Sequence, residues 1–182
     1  MAKTHSNMVP LGTPAHDFSL PGTDGKIWSL ENFKNKKALV IIFMCNHCPY
    51  VKAVLQRLID LQNYYADKSA QLAGINSNDA VKYPDDSMEN MQRIAREKGV
   101  SFPYLFDESQ EVAKKYEAVC TPDIYVYGEE RKLLYRGRID DNWERPEKVI
   151  RQDLRDAIES ILSGNQVSDN QVSSMGCSIK WK

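Results

Sequence analysis

No apolar run in this 182-residue chain approaches the length a membrane-spanning helix needs. The opening stretch, Met1 to Pro10, is polar and lacks an apolar signal core. An excess of one charge is missing too, since 24 Lys and Arg stand against 25 Asp and Glu. The short basic cluster from Lys34 to Lys37 reads as a solvated turn and not as the stripe that nucleic acid requires. These absences exclude membrane and nucleic acid as expected partners and give the cytoplasm as the expected compartment. Cysteine is also scarce, with Cys45, Cys48, Cys120 and Cys177 making four. Where thiols stay reduced, a close pair of cysteines points to catalysis or metal binding more than to a structural bridge.

What is present is concentrated in one stretch. Ala38-Leu39-Val40-Ile41-Ile42-Phe43 is an unbroken apolar run that predicts a strand buried on both faces. After Met44 comes Cys45-Asn46-His47-Cys48-Pro49-Tyr50-Val51. Pro49 suits the first position of a helix, where a missing N–H costs nothing. Cys48 then stands at the helix entrance, where free N–H groups and the helix dipole favour a thiolate. His47, between the two cysteines, is a candidate to tune that thiol or to shuttle a proton. Val51, Val54, Leu55, Leu58, Leu61 and Tyr65 recur at helical spacing and predict a helix to about Tyr65.

Around this core the chain reads as alternating elements. Phe18–Leu20 and Lys26–Leu30 flank the turn Pro21–Gly25 and predict a short hairpin. Gln71–Asn76 predicts a strand parallel to the first, because a helix joins them. Asp86 is expected to cap a helix with Glu89, ending at Gly99. Phe102–Phe106 reads as a strand, Asp107 and Gln110 open a small helix, and this helix-plus-strand unit looks inserted into a minimal redox fold. Cys120-Thr121-Pro122 leads into an antiparallel hairpin, Ile124–Tyr127 and Lys132–Tyr135. Arg145-Pro146 is expected to start a last helix with the stripe Ile150, Leu154, Ile158 and Ile161. The domain is therefore expected to span 1–162, with 163–182 a polar, mobile tail carrying Cys177.

A buried strand followed by Cys-x-x-Cys-Pro and an amphipathic helix resembles the thioredoxin superfamily. The opening Ala15-His16-Asp17-Phe18-Ser19-Leu20, the Asp24-Gly25 turn and the Thr121-Pro122 step resemble its redoxin branch, which includes alkyl hydroperoxide reductase and thiol-specific antioxidant (peroxiredoxin-like) proteins. The resemblance implies an α/β fold with a mixed central sheet flanked by helices and an N-terminal β-hairpin. It also implies a cis-proline at Pro122 facing the active thiol, with Thr121 offering backbone groups to an incoming peptide or disulfide. The family's spacing from the strand phenylalanine to its nucleophile, counted from Phe43, reaches Cys48. The proline and threonine that precede a peroxidatic cysteine are missing, because those positions hold Ile41 and Cys45 counted from Cys48. Counted from Cys45 they hold Ala38 and Ile42. The arginine that branch uses on peroxide oxygen has only Arg136 or Arg138 as candidates.

The residues and the resemblance together predict a thiol–disulfide oxidoreductase. Its site comprises Cys48, Cys45, His47, Thr121 and Pro122, it needs no metal or organic cofactor, and a thiol reductant protein re-reduces it. Cys48 is expected to attack and Cys45 to resolve. Cys120 is open as a core residue or a further redox thiol, and Cys177 as a bystander or a resolving thiol. The alternatives are a thiol peroxidase acting on hydroperoxides with the same cysteines and a redox-sensing or metal-binding module.

Overall fold

The structure, a computed structural model, describes residues 3–182; Met1 and Ala2 of the polar amino terminus lie outside the described residues. The chain starts with β1 (Lys3–His5) and then forms the expected hairpin from β2 (Ser19–Pro21) and β3 (Ile27–Ser29), in register Ser19↔Ser29. The Asp24 carboxylate holds the turn by accepting the Lys26 amide at 3.1 Å and the Trp28 indole N–H at 3.2 Å. β4 (Ala38–Phe43) follows, with all six residues wholly buried. α1 (Pro49–Tyr65) leads to β5 (Ala70–Asn76), α2 (Met88–Lys98) to β6 (Tyr104–Phe106), and α3 (Glu111–Lys115) to β7 (Cys120–Thr121). β8 (Asp123–Tyr127), β9 (Leu133–Arg136), α4 (Asp153–Leu162) and β10 (Met175–Ser178) complete the chain.

The main sheet has the order β6-β5-β4-β8-β9. β5 lies parallel to β4 and β6 parallel to β5, so the helix–strand unit adds an edge strand. β8 and β9 run antiparallel on the other side, the pattern expected of a mixed sheet. Side-chain alternation along β4 divides the core in two. Ala38, Val40 and Ile42 face the cluster that holds Val54, Leu58, Leu154 and Ile158 from α1 and α4. Leu39, Ile41 and Phe43 face Phe18, Phe33, Val112 and Tyr116 on the opposite side. Among the described residues no helix is long and apolar enough to cross a membrane.

Three local expectations are corrected. The last helix does not begin at Pro146: a single 3-10 turn spans Pro146–Lys148, and the α-helix starts at Asp153. The Asp141 carboxylate accepts the amides of Ile150 and Arg151 at 3.0 and 3.2 Å, which holds that backbone outside a helical ladder. Ile150 is consequently 87% exposed and is not part of the buried stripe. Ser87, not Asp86, caps α2 by accepting the Asn90 amide at 3.3 Å, and Asp86 turns inward. The segment 163–182 is not a free tail at its end, because β10 inserts between β1 and β7 in a separate three-stranded sheet. Polar side chains and main-chain groups anchor it: Ser6 donates to the Ser174 carbonyl at 3.0 Å, Ser174 Oγ to the Gly137 carbonyl at 2.6 Å, and Lys180 N–H to Asn78 Oδ1 at 2.8 Å. Composition predicts mobility here only because these partners are distant in sequence.

Candidate active site

β4 delivers the chain to the edge of the core at Met44, and α1 begins five residues later. Pro49 occupies the first turn as expected, which makes Cys48 the N-cap, in extended conformation at φ −66° and ψ 122°. The Thr121–Pro122 peptide is cis, as the resemblance implied, and stands opposite this turn. Cys48 Sγ lies 3.0 Å from the Thr121 carbonyl, to which its thiol form donates, and Cys45 Sγ lies 3.5 Å from Thr121 Oγ1. Thr121 therefore touches both sulfurs, through its main chain and its side chain.

The two thiols are driven in opposite directions. A hydrogen bond from the Cys45 thiol is the largest cause that brings Cys48 down to about 4, aided by the Thr121 hydroxyl, the Val51 amide in the first helical turn and the Cys177 thiol, against the cost of burial. Cys45 is pushed well above the ordinary thiol range because its proton is committed to Cys48, because it is buried, and because Asp86 stands nearby. At neutral pH the pair is one thiolate held by one thiol.

His47 lies on the Cys45 side of this pair. Its Nδ1 is 2.5 Å from Asp86 Oδ2, and its ring stacks on Tyr83 at 5.3 Å with a 9° interplanar angle. Its Nε2 is buried without a partner. Its donor atom lies within 4.8 Å of the Cys45 sulfur and of the Asp86 carboxylate. Asp86, wholly buried, also accepts the Asn46 amide at 2.7 Å and the Asn78 side chain at 2.8 Å, and thereby fixes the middle of the Cys-x-x-Cys turn. Tyr104 adds a bond to Asn46 Oδ1 at 3.0 Å. Asp86, Asn46, Tyr83 and Tyr104 were not singled out as site residues from the sequence. The signal for Asp86 was the adjacent Ser87, a second and competing cap that leaves the aspartate free.

Donor atoms of Cys45, His47 and Asp86 lie within 4.8 Å of one another, the one such cluster among the described residues. The 2.5 Å between His47 Nδ1 and Asp86 Oδ2 is a hydrogen-bond distance, so Nδ1 is engaged by the carboxylate. Cys177 is brought to the site by β10, whereas Cys120, one residue before Thr121, bonds weakly to the Pro122 carbonyl at 3.7 Å and is pushed far up by burial. Tyr50 packs on Trp143 with centroids 4.3 Å apart, and both line a cavity of about 260 Å³ that Pro122, Ile124 and Met175 also wall. Trp28 stacks on Phe33 inside the hairpin region and stays out of the site. Arg136 bonds to Gln171 at 2.8 Å and Arg138 to Asp153 at 2.6 Å. Among the described residues no guanidinium hydrogen-bonds to Cys48.

A mixed sheet, a cysteine N-cap and a cis-proline opposite it define a thioredoxin-like redoxin. The AhpC/TSA family matches residues 11–136, and the chain belongs to that family of thiol-dependent oxidoreductases. It is similar over its whole length to an uncharacterized conserved protein from Geobacillus kaustophilus, at 48% identity, TM-score 0.94 and 97% coverage of that chain. Among curated proteins it is 30% identical over 118 residues to Thioredoxin-like protein YneN of Bacillus subtilis, a stretch that makes up 65% of each chain. The thioredoxin domain of a thiol-disulfide oxidoreductase from Bacteroides vulgatus shares the fold at 20% identity and TM-score 0.61, over 70% of this chain and 88% of that one.

Proposed function

We propose that the protein is a thiol–disulfide oxidoreductase in which Cys48 attacks and Cys45 resolves. The Cys48 thiolate attacks one sulfur of a substrate disulfide, the substrate bond breaks, and the departing sulfur leaves as a thiolate that takes up a proton. Cys45 then gives its proton to the His47 imidazole, which Asp86 orients, and attacks Cys48. The second substrate thiol is released and a Cys45–Cys48 disulfide remains. Two electrons have passed to the substrate, and a thiol reductant protein restores the dithiol. Thr121 and Pro122 orient the substrate, whose apolar part enters the cavity beside Tyr50 and Trp143.

The observation that carries this reading is the geometry around Thr121: the Cys48 sulfur at the N-cap of α1 lies 3.0 Å from its carbonyl, the Cys45 sulfur lies 3.5 Å from its hydroxyl, and the cis Thr121–Pro122 bond stands opposite. The missing peroxidatic proline and threonine, together with the engagement of Arg136 and Arg138 elsewhere, favour a disulfide over a hydroperoxide as substrate. The test is turnover of oxidised glutathione and of hydrogen peroxide side by side. Disulfide reduction, with a mixed disulfide trapped on Cys48 when Cys45 and Cys177 are both replaced by serine, is the expected result. Rapid peroxide consumption without disulfide reduction would replace this reading with the peroxidase.

A further inference from the structure

β10 runs antiparallel to β7 in the register Cys177↔Thr121 and Ser178↔Cys120. It thus sets Cys177 across from the residue that both other sulfurs touch. The approach is unusually close. A Cβ on Gly176 would stand 1.9 Å from the Thr121 carbonyl oxygen, so only glycine allows the strand to lie here. β1 closes the other edge with Lys3↔Cys177, and the Ile179 amide donates to the Val119 carbonyl at 3.0 Å. Cys177 is 2% exposed and belongs to the same buried cluster as Cys45 and Cys48. Inert cysteines pack into cores in many proteins, but this one is carried to a reactive sulfur by a strand whose other features serve that placement.

We propose that Cys177 is a third exchanging thiol of the site, which attacks Cys48 in the Cys45–Cys48 disulfide and moves the bond onto the C-terminal strand. This rests on the oxidoreductase reading. Cys177 loses its proton, the Cys48–Cys177 bond forms, the Cys45–Cys48 bond breaks, and the Cys45 sulfur leaves and takes up a proton. No net oxidation occurs. In the reduced site Cys177 is held up to about 11 by burial, by its hydrogen bond to Cys48 and by the Cys48 charge, with Lys180 opposing. Oxidation of Cys48 removes that charge, so Cys177 becomes easier to ionise when there is a disulfide to attack. The exchange also leaves the pair's second thiol, Cys45, free again beside His47. β10 fills one edge of β7, so an extended substrate that pairs with Thr121 on that edge must displace this strand.

The test is oxidation of the full chain with one equivalent of diamide, acid quench, and disulfide mapping by peptide mass in wild type, Cys177→Ser and Cys45→Ser. We expect Cys48–Cys177 beside Cys45–Cys48 in wild type, Cys45–Cys48 alone in Cys177→Ser, and an intramolecular Cys48–Cys177 bond in Cys45→Ser. Cys177 remaining an alkylatable thiol in both wild type and Cys45→Ser would overturn the proposal. If Cys45–Cys48 forms in that case and disulfide turnover persists, the oxidoreductase reading stands without it. Absence of the Cys45–Cys48 bond in Cys177→Ser, together with no disulfide turnover, would instead strike the oxidoreductase reading.

Discussion

The Cys45–Cys48 turn and the strand Met175–Ser178 meet at Thr121, and they reach it by different physics. The turn is local: a buried strand ends, a proline starts a helix, and the helix entrance holds a sulfur. The strand is non-local: its position comes from main-chain pairing with β1 and β7 and from one glycine that admits the approach. The difference teaches where reactivity and access are set. In the proposed function the turn sets which sulfur is ionised and the strand lies beside it, with Cys48 wholly buried.

Substitutions can separate the two sides. The largest effect is expected from Cys48→Ser, which should lower disulfide turnover by at least about a thousandfold, as loss of a nucleophile does. Steady-state reduction of oxidised glutathione checks it. Next comes Asp86→Asn, which keeps the shape but removes the carboxylate that orients His47. Resolution should slow by roughly a hundredfold, the scale of a lost general base, and the mixed disulfide on Cys48 should accumulate in single-turnover traps.

On the strand side, Gly176→Ala should cost about 1–3 kcal/mol by overpacking against Thr121. The urea midpoint should fall, and Cys177 should become quicker to alkylate as β10 lifts. A smaller effect returns to the turn. Alkylation of Cys48 should titrate near pH 4 in wild type, and Cys45→Ala should raise that midpoint by removing its largest cause.

The smallest effect lies between the two regions, at Asp123. Burial pushes its carboxyl up from the ordinary 3.8 to about 7, and its Oδ1 has no partner. The native state keeps a proton there that the unfolded chain releases above its ordinary range. Stability from this group is therefore full at acid pH and is lost as pH rises from about 4 to about 7. Asp123→Asn should flatten that slope in melting temperature against pH, if its fold is kept by the bonds to Tyr125 and Val119.

Much of the turn side was legible because its causes are short in sequence. The apolar run set the bounds of β4, Pro49 marked the start of α1, and β8 and β9, paired Tyr127↔Leu133, lie where the second hairpin was expected. The cis-proline was readable only through the family resemblance, as no local pattern encodes it. Asp86 was misread because Asp85-Asp86-Ser87 offers several acceptable caps and only tertiary contacts with Asn46, His47 and Asn78 choose among them. His47 was placed by its neighbours in sequence, while the turn geometry aims it at Asp86 and Tyr83. Cys177 was least legible of all. A polar segment carries no apolar period, and main-chain pairing across more than fifty residues leaves no trace in composition.

The most direct measurement is alkylation of the reduced protein with limiting iodoacetamide at mildly acid pH, followed by peptide mass mapping of all four cysteines. The account predicts that Cys48 is labelled first and that Cys45 stays unmodified until Cys48 is consumed. Labelling of Cys45 before Cys48 would contradict it, because the thiolate would then sit on the other sulfur of the pair.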